Sequence, residues 1–393
     1  MQAILVINAG SSTIKFAVFA VEHNEPKKRY TGLIDKLLLE PQMSIKDLKT
    51  GDKKLIAMYQ QGESPYANAF NSILHWLHDN NIELIAAGHR MIHGATKITE
   101  SVVLNDEVIK FLETLNPLAP LHQPYNIQGA KIAFAKYPKL FQVACFDTSF
   151  HTTARELSQL FALPKWLTEE GVRRYGFHGL SYAYVVDQFE NYLAPKIVDG
   201  KIIVMHLGNG ATMAAIENRK SLATSIGFSA VDGLIMGTRT GSMDPSVILY
   251  LMKEHNMGYD EVTKLIYKDS GLLGVSGISP DMRDLLASDS KDAKLAVDLF
   301  CYRVAQWIGT LSMELQGLDA LVFTAGIGEN AAPIREKICA YAKWMGAELD
   351  TTKNNANESE IHTSNSKIAI HVIPTDEEAT IAKDTWRLLQ QNK

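Results

Sequence analysis

Short uninterrupted apolar runs alternate along the chain with longer stretches in which apolar residues return every third or fourth position. The first pattern predicts buried strands, the second helices, and their alternation predicts an α/β class. Residues 3–8 and 14–19 read as strands joined by the small polar turn Gly10-Ser11-Ser12-Thr13. Leu84-Ile85-Ala86-Ala87 reads as a buried strand ending at Gly88-His89-Arg90, and Val143-Ala144-Cys145-Phe146 as another ending at Asp147. The strongest helical spacing lies at about 293–316, where Leu295, Leu299, Val304, Trp307, Ile308, Leu311 and Leu315 recur and Gly317 supplies a stop. Residues 44–62 are charged and weakly apolar, which predicts a surface hairpin. Residues 351–366, rich in Thr, Asn and Ser, predict an exposed loop.

The pattern also repeats. Val6-Ile7-Asn8-Ala9-Gly10-Ser11-Ser12-Thr13 is echoed by Val204-Met205-His206-Leu207-Gly208-Asn209-Gly210-Ala211, each followed by a further strand. The strand before Gly88 corresponds to Ala320-Leu321-Val322-Phe323 before Gly326. The strand before Asp147 corresponds to Ile368–Ile373 before Asp376 and Glu377. Matches in the same order predict two similarly built α/β domains with polar strand ends facing a common cleft, the usual place for a ligand in such folds.

Composition narrows the classes. The chain has 393 residues, 46% hydrophobic and 21% charged, as an ordinary globular protein of two or three domains does. Its formal charge of −5, without a block of like charge, argues against nucleic acid as a partner. The cysteines Cys145, Cys301 and Cys339 are odd in number and widely spaced, which excludes a disulfide framework and a CxxC pair. The apolar start Ala3–Ile7 has no basic flank and reads as a strand rather than a signal peptide, and no run is long enough to span a bilayer. These features predict a cytoplasmic protein that does not bind membranes.

Gly10–Thr13, Gly208-Asn209-Gly210 and Gly326-Ile327-Gly328-Glu329-Asn330 are glycine-rich turns of the kind that bring backbone N–H groups close to phosphate oxygens. No GxxxxGK[ST] pattern and no GxSxG elbow occurs. Gly326-x-Gly328-x-x-Ala331 matches the dinucleotide fingerprint, but too few residues follow it to complete a dinucleotide domain. Arg90 and Arg239 each follow a glycine-bearing turn, which suits a planar grip on carboxylate or phosphate. His89 and His93 lack a helix or a nearby acid and make a poor zinc pair.

Together these segments resemble the acetate and propionate kinase family. The matching stretches are Asn8–Phe16, Gly88-His89-Arg90, Leu118–His122, Phe146–His151, Arg174–Gly179, His206–Gly210, Met236–Arg239, Asp281–Asp284, Gly326–Asn330 and Ile373–Glu378, in family order over nearly the whole chain. The resemblance implies two RNase H-like domains of the actin and sugar-kinase (ASKHA) superfamily with an interdomain active-site cleft. It places residues 1–148 with 378–393 in the first domain and 149–377 in a second, nucleotide-binding and dimerising domain. It implies reversible transfer of the ATP γ-phosphoryl group to acetate, with propionate as the alternative acid, and a homodimer. An actin-like or chaperone-like ATPase is the competing reading. It fits less well, because hydrolysis onto water needs no carboxylate clamp.

By the same resemblance Asn8 and Glu377 hold Mg²⁺ (Mn²⁺ possible), and Lys15 lies near the nucleotide phosphates. Arg90 binds the acid, and Asp147 is the family's catalytic acid, here read as an orienting or metal-shell residue. His178 and Arg239 stabilise the transferring phosphoryl group. His206, Leu207, Gly208, Asn209, Gly210, Asp281, Met282, Arg283, Gly326, Ile327, Gly328, Glu329 and Asn330 surround ATP. Glu377 is preferred to Glu378 for the metal on the expectation that the preceding strand continues and turns Glu378 away. Ile92, Leu121, Phe177 and Ala230 form the acyl pocket. The chain departs from the family at Thr13, Ala95 and Asp376. It also departs at Ile92, which narrows the pocket where Val is usual, and at Ala230, which opens it where Pro is common.

Overall fold

A computed structural model describes the chain from Met1 to Asn392 apart from Ser11, residues 60–63 and Leu121. Among the described residues, strands β1 (Gln2–Ala9), β2 (Ile14–Glu22), β3 (Glu25–Asp35), β4 (Gln42–Asp47), β5 (Lys53–Ile56), β6 (Glu83–Met91), β7 (Val102–Val103) and β8 (Phe141–Phe146) form one sheet in the order β5-β4-β3-β2-β1-β6-β8-β7. Strands β9 (Ile202–Leu207), β10 (Ala211–Glu217), β11 (Lys220–Thr224), β12 (Ala320–Thr324) and β13 (Ala369–Val372) form a second, ordered β11-β10-β9-β12-β13. The run β3-β2-β1-β6-β8 matches the second sheet strand for strand. In each, three antiparallel strands are extended by two parallel ones. The repeat read from sequence is this shared topology.

Two compact units divide the chain, Met1–Phe150 with Asp376–Lys393, and His151–Thr375. In the first, one face of β1 (Ala3, Leu5, Ile7) is buried in a cluster with Phe70, Ile73 and Leu77 of helix Pro65–Asp79. Ser64 caps that helix, accepting from the Ala67 N–H, and Pro65 starts it. The C-terminal helix, Glu377–Gln391, packs on β6, β1 and β8. Asp376 is its N-cap, so Asp376 and Glu377 fall in the first unit rather than in the second as the expected boundary had it.

Several elements differ from expectation. β6 runs through Gly88, His89 and Arg90 to Met91, so Arg90 is a strand residue and not a turn residue. After β13 the chain turns into a helix at Glu377, and strand alternation does not distinguish Glu377 from Glu378. Gly326–Asn330 lies within the short helix Ala325–Asn330 rather than an open turn. Helix Lys291–Leu315 buries Ala293, Ala296, Val297, Phe300, Val304, Ile308, Leu311 and Leu315, whereas Leu295 is 57% exposed. Alanines, missed as core markers, set the phase of its buried stripe. The hairpin expected at 44–62 is β4–β5, with residues 60–63 outside the described chain. Segment 351–366 contains the helical turn Thr351–Asn355. Fully buried Arg335 donates to Asn354 Oδ1 and Asn357 Oδ1 at 2.7 Å and pins that segment to the fold.

Candidate active site

Within the first unit the side-chain alternation of β6 sorts the Gly88-His89-Arg90 motif. His89 turns to one face, where its Nε2–H donates to Gln142 Oε1 at 2.9 Å, and burial pushes its pKa down to about 4. Gly88 and Arg90 share the other face, under the C-terminal helix. A Cβ on Gly88 would lie 2.4 Å from Thr385 Oγ1 and 2.5 Å from Ile381 Cγ2, so only glycine admits the helix this close. Arg90 Nε and Nη2 donate to Asp147 Oδ1 and Oδ2 at 3.2 and 2.5 Å, and Nη1 donates to Asn8 Oδ1 at 3.1 Å. The Asp147 side chain is 1% exposed and that of Arg90 17%. Burial works against the Arg90 charge, but Asp147 and Glu377 outweigh it and hold the guanidinium firmly protonated. Three of the five guanidinium N–H groups are thus committed, and two have no partner among the described residues.

The acids opening the C-terminal helix have separate jobs. Asp376 and Glu378 both accept from Lys28 Nζ, at 2.5 and 2.8 Å. Glu377 is not part of that cluster and acts electrostatically on Arg90 instead. Asn8, Asp147 and Glu377 therefore offer amide and carboxylate oxygens around one guanidinium. That hard-oxygen donor set fits Mg²⁺, which takes one or two carboxylates and completes its shell from water and phosphate. Lys15 is exposed on β2, paired in register with Asn8 on β1. Ile92, just beyond β6, is 5% exposed, and Leu121 lies outside the described residues.

In the second unit His178 sits at φ +58°, a left-handed conformation uncommon for histidine, at the N-cap of helix Gly179–Asp187. Its ring stacks on His206 at 4.2 Å between centroids and 18° between planes. His178 Nδ1 lies 3.0 Å from Thr212 Oγ1, which is 2.7 Å from the Tyr182 hydroxyl. His206 Nδ1 lies 2.7 Å from Ser181 Oγ, itself 2.7 Å from Thr375 Oγ1. Gly210 faces the His178 ring, and its missing Cβ would stand 3.2 Å from His178 Cε1 and Nε2. Arg239 lies in the irregular stretch 225–245, where its Nη1 donates to the Ala230 carbonyl at 3.0 Å. Phe177 is 4% exposed, and its carbonyl accepts from His151 Nε2 at 3.0 Å.

Gly208, Asn209, Asp281, Met282, Arg283, Gly326, Ile327 and Asn330 line one cavity of about 640 Å³, together with Pro280, Leu286, Ala331 and Pro333. Leu207 and Gly328 are buried behind it. Glu329 is committed to the backbone, its Oε1 accepting from Ala325 N–H at 2.9 Å and Thr375 N–H at 3.0 Å. Asp281 caps helix Met282–Ala287 and chelates the Arg283 guanidinium, which lowers its carboxyl to about 2.

Residues 3–383 match the Acetokinase family. The chain belongs to that family. An acetate kinase from Methylocella silvestris is 44% identical over 99% of this chain and 98% of its own length. Among solved structures, a propionate kinase from Francisella tularensis superposes with a TM-score of 0.91 at 36% identity, covering 98% of this chain and 99% of that one. An acetate kinase from Porphyromonas gingivalis superposes with a TM-score of 0.88, also at 36% identity, over 99% and 100% of the two chains. The fold is accordingly the two-domain α/β fold of the actin and sugar-kinase superfamily, and the chain is a carboxylate-phosphorylating kinase.

Sequence reasoning missed the polar residues that fix the family motifs. Ser181 and Tyr182 stand three and four positions after His178 on one helical face, a spacing that could have signalled support for the histidine pair. Thr212 and Thr375 carry no such signal, because their partners are distant in sequence, and the Ala230 carbonyl carries none because it is a backbone group.

Proposed function

We propose that the chain transfers the γ-phosphoryl group of ATP to acetate, reversibly, giving acetyl phosphate and ADP. The Arg90 fork carries this reading, since its guanidinium is fixed by Asp147 and Asn8 and keeps two donors for an acceptor carboxylate. A carboxylic acid with a pKa of about 4–5 is ionised at neutral pH, so the nucleophile needs no general base. A lone pair on its oxygen forms the new O–P bond. The bond from γ-phosphorus to the bridging oxygen breaks, and ADP leaves with that electron pair. The obstacle is repulsion between two anions, which fixed cations and donors relieve.

In this reading Arg90 grips the acid, while His178 and Arg239 stabilise the phosphoryl group in flight. Lys15 lies along the phosphates. Apolar Met282, Leu286 and Ile327 in the 640 Å³ cavity receive the base, and Gly208, Asn209 and Gly326 of the same lining take the phosphates, with Gly210 next along the chain. Asp147 orients Arg90 with both oxygens and has no proton to take. Asn8, Asp147 and Glu377 are the residues that would hold Mg²⁺ (or Mn²⁺), and the bound ion supplies charge neutralisation at the phosphates. The reading includes a cytoplasmic homodimer. Cys145, Cys301 and Cys339, all free and buried, suit a reducing compartment. Helix Ser246–Glu254 exposes Val247 and Tyr250 on one side and Leu249 and Met252 on the other, apolar surface that a second copy would cover.

Trapping the acyl phosphate as a hydroxamate tests the reading with acetate, propionate and butyrate. Acetate is expected to lead, with propionate a clear second substrate and butyrate poor. One methylene in an apolar pocket is worth about 1–3 kcal/mol, or roughly 10–200-fold. Ile92→Ala is expected to move the preference toward propionate. A natural enzyme that prefers propionate would show that Ala230, and not Ile92, sets the pocket.

A further inference from the structure

In the second unit Ser359–His362 runs antiparallel to β13. Val372 N–H donates to Ser359 O at 2.8 Å and Ile361 N–H to Ile370 O at 2.9 Å. Glu360 stands directly across from His371 in this pairing. Glu360 and His362 are two residues apart on one strand-like segment and so share a face, and the cross-strand partner His371 points the same way. One carboxylate oxygen of Glu360 and one nitrogen of each imidazole all lie within 4.8 Å of one another. The two rings are 5.5 Å apart.

The hydrogen bonding around the rings decides which nitrogens can coordinate. His371 is 3% exposed, and its Nδ1 is buried with no hydrogen-bond partner among the described residues. In the tautomer with its proton on Nε2, the Nδ1 lone pair is available. His362 Nδ1 lies 3.4 Å from Ile370 O. In the metal-free protein Nδ1 accepts from the Ile370 N–H at 3.1 Å, and coordination through Nε2 takes the other tautomer, in which Nδ1–H turns to the Ile370 carbonyl beside it. Glu360 Oε1 accepts from Lys353 at 3.1 Å, and its second oxygen makes no contact in that pair. A bound cation would satisfy the orphaned, buried Nδ1 of His371.

We propose that Glu360, His362 and His371 bind a divalent transition-metal ion of the zinc class, at a site separate from the residues assigned to phosphoryl transfer. Two imidazole nitrogens and one carboxylate oxygen form a ligand set that favours Zn²⁺ and its neighbours over Mg²⁺. The same three side chains are among those lining a cavity of about 430 Å³, with room for water to complete the shell. The ion ties the 359–362 segment to the edge strand β13.

The test uses the full chain, stripped with a chelator and free of nucleotide and Mg²⁺. Titration with cobalt(II) alone is expected to develop the visible bands of a tetrahedral site, saturating at one equivalent and bleached by Zn²⁺. Glu360→Gln and His362→Gln alter exposed or half-exposed side chains. Each is expected to weaken Zn²⁺ binding by about 100-fold while Mg²⁺-dependent turnover stays at the wild-type level, which also certifies the fold. The proposal is overturned if cobalt gives no saturable signal, or if both variants bind it as the natural protein does.

Discussion

Arg90 is both a binding group and a counter-charge, so replacing it does two things at once. Read from sequence, Arg90→Ala is a clean functional lesion in an intact fold. Asp147, 1% exposed and bonded through both oxygens to that guanidinium, changes the expectation. Removing one partner of a buried ion pair costs about 3–5 kcal/mol, and losing a donor at the reacting group costs about 3–4 kcal/mol of barrier. Arg90→Ala is therefore expected to lower the urea midpoint, raise the acetate KM and cut kcat by orders of magnitude. Arg90→Lys keeps the charge without the fork, and is expected to recover much of the stability and little of the rate. Steady-state kinetics beside urea unfolding separate the two effects. A stable Arg90→Ala protein with normal KM would remove Arg90 from the site. The identity of Arg90 was legible in its motif, but its grip on Asp147 and Asn8 was not, because those residues lie 57 and 82 positions away.

Among the elements, β6 and the C-terminal helix depend on each other most. Gly88 is the point of contact, and the helix carries Glu377 in its first turn. Gly88→Ala would force its Cβ into Ile381 and Thr385, so the helix must shift. The expected cost is about 1–3 kcal/mol, with a raised Mg²⁺ requirement as Glu377 moves with it. Urea unfolding and a Mg²⁺ titration of turnover check both, and an unchanged midpoint would contradict the packing argument. Buried strands and the long helix were legible because continuous apolar runs and helical periodicity report burial directly. Strand ends and the start of the last helix were not. Gly88-His89-Arg90 reads as a turn by composition, yet sheet pairing with Leu5–Ile7 and Val143–Cys145 keeps it extended. Residues 351–366 read as a loop because the anchoring charge, Arg335, lies outside the segment.

For the whole molecule, acid is the expected weakness. Burial pulls His89 and His93 in the first unit, and His151 and His371 in the second, from 6.5 to about 4. The folded state keeps these rings neutral where the unfolded state takes up protons. Their contribution is therefore complete above pH 6.5 and is lost as pH falls from 6.5 toward 4. A tenfold loss of proton affinity on folding corresponds to about 1.4 kcal/mol per ring. Urea midpoints at neutral pH and at about pH 5 are expected to reflect a difference of several kcal/mol, more than carboxylate titration accounts for in that range. Equal midpoints would mean that these rings are protonated in place.

Central to the proposed function is attack on the γ-phosphorus by a carboxylate oxygen rather than by water. Acetate labelled with heavy oxygen in both positions decides it. Acyl phosphate formed from ATP and labelled acetate is cleaved with hydroxylamine at the acyl carbon, and the released phosphate is analysed by mass. One heavy oxygen is expected in that phosphate, with ATP turnover that depends on the acid. Unlabelled phosphate, formed at the same rate with and without acetate, would contradict carboxylate attack.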